Sequence, residues 1–98
     1  MKRVRIKFKF DKTWITVREL WFELYAPDYR GMYQCGLCLF EVHIDETTLD
    51  HIMPKGSHPK LKYDLTNLQP AHGVCNNRKG SMSMEAYERR FGPAGSLV

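Results

Sequence analysis

Cys35 and Cys38 are separated by two residues, and so are His72 and Cys75. Three thiolates and one imidazole are a donor set for closed tetrahedral zinc, and each Cys-x-x-Cys-like pair is one half of such a site. With four protein ligands, no position stays open for water, so the expected zinc is structural. It ties the chain near residue 35 to the chain near residue 75. Three cysteines in a reducing compartment favour metal over disulfides. A redox use of Cys-x-x-Cys would need a βαβ pattern around it, and the flanking sequence has none.

Other chemistry-bearing residues lie between and after these pairs. The sequence reads CGLC at 35–38, LDHIMP at 49–54, LTNLQP at 65–70 and HGVCNNRKG at 72–80. In this order and spacing the stretch Cys35–Gly80 resembles the HNH endonucleases, the zinc-braced branch of the ββα-metal nucleases. The departure is His72, which stands where many members have a third zinc cysteine; imidazole binds zinc equally well.

The resemblance implies a hairpin strand ending at Asp50-His51, a crossing loop, and a short helix carrying Asn76. It implies His51 as general base, Asp50 and Asn76 as ligands of a catalytic divalent ion, and Asn67 as the brace that orients His51. Asn77 is the fallback for Asn76, which fits the family's Asn-x-x-Lys-Gly spacing better. His58 is the fallback base. The implied reaction is hydrolysis of DNA phosphodiester bonds by one metal, Mg²⁺ or Mn²⁺. Small free-standing members are often phage-encoded, and some act beside a packaging terminase.

Elementary chemistry agrees with these roles. Histidine titrates near neutral pH and can take a proton from water. One carboxylate and one amide oxygen suit a hard cation that keeps sites for water and phosphate. Neighbouring strand residues point to opposite faces, so Asp50 and His51 share a site only at a strand end or a twist. The competing reading is a non-catalytic zinc module that binds nucleic acid or a protein.

The elements that must position these residues are legible in outline. KRVRIKFKF alternates apolar and basic residues, the period of a half-buried strand: either a charged edge or a ribbon that touches phosphate. Val17, Leu20, Trp21, Leu24 and Tyr25 predict a helix over 17–25, with Thr16 and Glu19 at capping-box spacing. Trp14 and Trp21 are expected in the core. LFEVHIDETTLDHI predicts one hairpin turning at Asp45-Glu46-Thr47. A polar loop follows from Met53 to Asp64, then a short extended LTNLQP. A short helix stops at Gly80, and a second follows with Ser83 as N-cap.

The chain has 98 residues and a formal net charge of +4. This predicts one α+β domain spanning 1–98, with its motif core at 35–80 and an added N-terminal basic strand and helix. The positive charge is local. Residues 1–12 hold six Lys/Arg against Asp11, and residues 52–80 hold Lys55, Lys60, Lys62, Arg78 and Lys79 against Asp64 alone. Lys55, Arg78 and Lys79 are the candidate DNA contacts, although Arg78 and Lys79 equally suit a helix C-terminus. Phosphate contacts of this kind imply weak sequence preference. No apolar run approaches the ~20 residues of a membrane span, and no signal-peptide core follows the basic start. A cytoplasmic location is expected; the sequence leaves the oligomeric state open.

Overall fold

The structure, a computed structural model, describes residues 13–92. The basic strand expected at the N-terminus lies outside these residues. The described chain is α+β: helix α1 (Trp14–Leu24), strands β1 (Met32–Gln34), β2 (Glu41–His43), β3 (Thr47–His51) and β4 (Leu68–His72), then helices α2 (Gly73–Lys79) and α3 (Met84–Phe91).

Helix α1 begins three residues before its predicted start. Thr13, not Thr16, is the N-cap, and its side chain accepts from the Thr16 N–H. The earlier start puts Trp14, Val17 and Trp21 on one face, because these positions recur at helical spacing. Trp21 is the anchor. It is 4 % exposed and packs against the Tyr33 ring of β1, with centroids 5.5 Å apart. The Tyr33 hydroxyl donates to the Tyr25 carbonyl at the end of the helix. Burying a large side chain is worth roughly 1.5–3 kcal/mol, so this one contact fixes where the rest of α1 lies.

The predicted hairpin is not formed. Strand β2 pairs antiparallel with β1 on its N-terminal side, and β3 pairs antiparallel with the later β4. Ile44–Glu46 form a 3-10 turn that carries the chain from one sheet to the other. The alternation of Phe40, Val42 and Ile44 marks a strand correctly but cannot name its partner. Asp45 and Glu46 suit a turn of either kind.

The β3–β4 ribbon carries the later helices. Its register sets Asp50 opposite Gln69 and Thr47 opposite His72. Helix α2 follows β4 without a gap and folds back over β3 and β4. Gly80 ends it at φ +54°, a conformation that costs glycine little and other residues much. Helix α3 starts at its predicted cap, where Ser83 Oγ accepts from the Ala86 N–H. The core runs between the sheets, from Trp21, Tyr33 and Val42 to Leu49, Ala71 and Tyr87.

Candidate active site

Two centres are built on the β3–β4–α2 unit, one on each side. The first is the zinc quartet. The Cys35, Cys38 and Cys75 sulfurs and a His72 ring nitrogen all lie within 4.8 Å of one another. The His72 ring shows which nitrogen serves. Nε2 lies 3.0 Å from the Glu41 carbonyl, whereas Nδ1 faces the sulfurs of Cys38 at 3.4 Å and Cys75 at 3.8 Å. A carbonyl only accepts, so Nε2 carries the proton and Nδ1 keeps its lone pair for metal. Burial raises the Cys35 thiol, but N–H groups from Cys38, His72 and Leu37 outweigh it and bring it down to about 7. Burial and the neighbouring Cys35 and Cys38 sulfurs push Cys75 up to about 12. That repulsion between thiolates is what a bound Zn²⁺ removes. Donor type, spacing and ring orientation all fit the ion.

The knuckle at Cys35–Cys38 also touches the second centre. A Cβ on Gly36 would lie 2.1 Å from Gln69 Oε1, so with any larger residue the Gln69 side chain would have to move. Gly36 N–H donates to the Pro70 carbonyl, and Gln69 Nε2 donates to Asp50 Oδ2 at 2.9 Å.

The second centre is a cleft of about 660 Å³. Asp50, His51, Asn76, Asn77 and Lys55 line it, together with Trp14, Lys62 and Tyr63. His51 is the last residue of β3, which lets it and Asp50 reach one space despite their adjacency. Its Nε2 lies 2.9 Å from the Lys62 carbonyl. By the same logic as at His72, Nε2 donates there, and the neutral ring keeps its lone pair on Nδ1. One face of the ring stacks on Trp14, centroids 5.1 Å apart and planes 28° from parallel.

Asp50 is 3 % exposed, and both of its oxygens are engaged: Oδ2 by Gln69, Oδ1 by the Lys79 ammonium at 3.2 Å. Burial raises its carboxyl above the ordinary range, against the pull of Gln69 and Lys79. Each oxygen retains a further lone pair. Asn76 sits one turn before Lys79 on the α2 face that meets β3. Its Nδ2 donates to Thr48 Oγ1 and to the Leu49 carbonyl, both at 3.1 Å. This fixes the amide and leaves Oδ1 as its oxygen to offer a cation. The cleft's carboxylate and amide oxygens suit a hard divalent ion.

Asn67 lies behind the cleft, 6 % exposed. Its Oδ1 accepts from the Met53 N–H, and its Nδ2 donates to the carbonyls of Met53 and Leu61. It thereby closes the loop that delivers the Lys62 carbonyl to His51. His58 is not among the cleft-lining residues, and its Nδ1 lies 2.8 Å from Ser57 Oγ.

The basic candidates separate. Lys55 lines the cleft; Arg78 is exposed and lies over the Phe91 ring of α3 at 5.3 Å. Lys79 is corrected: at 1 % exposure, held by Asp50 and by the His51 carbonyl at 2.7 Å, it cannot meet DNA. Trp14 packs against the core as expected, but it is only half-buried and also walls the cleft. Sequence reasoning assigned no role to Gln69 and named Lys62 only within a basic region. Gly36 in CGLC is the one trace of the Gln69 contact, and Lys62 acts on His51 through its backbone, which no side-chain pattern marks.

An antiparallel ribbon and a crossing helix, braced by a three-cysteine, one-histidine quartet, define a small α+β protein of the ββα-metal type. Residues 35–82 match the family model described as HNH endonuclease, which supports the HNH endonuclease family for this segment. No curated protein and no solved structure matches the chain significantly. No helix among the described residues is long and apolar enough to cross a membrane.

Proposed function

We propose that the protein is a DNA endonuclease that hydrolyses phosphodiester bonds with a divalent cation, with His51 as general base. The observation that carries this reading is the fixed His51 ring, held through Nε2 so that the free nitrogen is Nδ1, in a cleft that also holds Asp50 and Asn76. A water near Nδ1 gives up its proton there as it attacks phosphorus. The cation held by Asp50 and Asn76, Mg²⁺ or Mn²⁺, would neutralise charge on the phosphate and the leaving oxygen. Asp50 binds it with oxygens already shared with Gln69 and Lys79, which favours weak, exchangeable binding. Lys55 and Lys62 draw the phosphate backbone to the cleft mouth, so affinity falls steeply with salt.

Bound at the quartet, zinc would hold Gly36 against Gln69 and take no part in the chemistry. A site that only bound DNA would not need a histidine held in one tautomer beside two oxygen ligands. The test is supercoiled plasmid incubated with Mg²⁺ or Mn²⁺, wild type against His51→Ala. The variant should keep its fold, zinc and DNA binding, and lose the ~10²–10⁴-fold in rate typical of a missing general base. A folded wild type that binds but never cuts DNA with any divalent ion would establish the binding module instead. The resemblance permits a terminase partner, which co-purification with a packaging terminase would test.

A further inference from the structure

Trp14 precedes the HNH segment, yet its ring lies on the face of His51. We propose that Trp14 is a positioning residue for His51, supplied by a helix outside the family's motif. This rests on the reading of His51 as base. The argument starts from what the imidazole lacks. The Lys62 carbonyl holds the ring at one point, Nε2, and one hydrogen bond leaves it free to swing about that axis. A stacked indole removes this freedom. With centroids 5.1 Å apart and planes 28° from parallel, the pair has the spacing of an aromatic stack.

The indole cannot easily leave. Trp14 is in the first turn of α1, behind the Thr13 cap, and Trp21, two turns on and on the same face, is buried against Tyr33. The core thus holds one end of the helix face, and the other end covers His51. Hydrogen bond and stack act at right angles, one in the ring plane and one across it. Together they fix the orientation of the ring in the cleft that His51 lines.

The test is the Trp14→Leu variant of the zinc-loaded protein, read in two ways. Diethyl pyrocarbonate modifies free imidazole nitrogens, and peptide mass spectrometry gives a rate for each histidine. Without the stack, His51 should react roughly two- to tenfold faster, the factor that a lost aromatic pair represents, with His43 and His58 unchanged as internal controls. In plasmid cleavage kcat should fall by about the same factor while KM holds, because no phosphate contact is lost. Trp14→Phe should restore both values. A folded Trp14→Leu protein with unchanged His51 reactivity and unchanged kcat overturns the proposal. Should that variant not fold, the wild type still decides by NMR: the His51 ring protons must show the upfield displacement of a stacked indole, and unshifted resonances overturn the proposal. If His51→Ala cuts at the wild-type rate while the reactivity change persists, the stack stands and the base assignment falls.

Discussion

Lys79 reaches Asp50 from inside the protein: its ammonium lies 3.2 Å from Oδ1, and the two side chains are 1 % and 3 % exposed. The same nitrogen donates to the His51 carbonyl at 2.7 Å. One buried cation therefore ties the carboxylate of one site residue to the backbone of the next.

Removing this cation alone should be severe. Lys79→Met leaves a buried carboxylate without its charge partner, which costs about 3–5 kcal/mol. Adding Asp50→Asn removes the uncompensated charge, so the double variant should be more stable than Lys79→Met alone. Denaturant unfolding of the zinc-loaded proteins measures both. If the two losses simply add, the pair is not coupled and Lys79 has another task.

The pH dependence follows from the raised Asp50 carboxyl. Over the window between the ordinary carboxylate value and the raised one, the folded protein holds a proton that the unfolded chain has released. Stability falls with rising pH wherever the folded state binds more protons. The Asp50 contribution is therefore complete below the unfolded value and is lost as pH rises through the folded one. The gap in unfolding free energy between wild type and Asp50→Asn, followed against pH, should move against the wild type as pH rises through this window. A gap that moves the other way would mean that the Lys79 charge outweighs burial.

Gly36 links the zinc knuckle to the same carboxylate. In Gly36→Ala the new Cβ would meet Gln69 Oε1 at 2.1 Å and Cδ at 2.5 Å, so the flexible Gln69 side chain must swing away. The bond from Gln69 to Asp50 is then lost, at a cost to stability of about 1 kcal/mol. Zinc content by elemental analysis should be unchanged, while cleavage should need more Mn²⁺. Gln69→Leu should copy the effect without the clash. A Gly36→Ala enzyme with the wild-type Mn²⁺ requirement would break the link.

Much of this was legible because it is local. The zinc quartet is a matter of spacing, Gly80 of one backbone angle, and Ser83 of one cap. The partner of β3 was not legible: the sequence offered a nearby turn at Asp45-Glu46, whereas β4, brought alongside β3 with its end at His72, lies far along the chain. A lysine in the last helical turn reads as a DNA contact or a helix C-terminal charge, and only the fold back over β3 turns Lys79 inward. Trp14 was read as core from its type alone. Its position depends on Trp21 docking against Tyr33, a contact between segments that no periodicity reports.

Asn76 separates metal binding from base chemistry. Its Nδ2 is fixed by Thr48 and the Leu49 carbonyl, so under the proposed mechanism it would present Oδ1 to the cation. Asn76→Ala removes one neutral ligand and leaves Asp50 and His51 in place. Cleavage at ordinary Mg²⁺ should fall at least tenfold, the size of change that losing about 1.4 kcal/mol of ion binding produces. Excess Mn²⁺ should recover much of it by mass action, because the site is weakened and not abolished. His51→Ala should gain nothing from the same Mn²⁺, since a missing proton acceptor is not a missing ligand. Brief mild chelation provides the control. It should stop the wild type without unfolding it, because the zinc site offers four protein ligands and the proposed cleft ion would have two, and added Mg²⁺ or Mn²⁺ should restart cleavage. Rescue of both variants by Mn²⁺, or of neither, would show that Asn76 and His51 do not divide the work in this way.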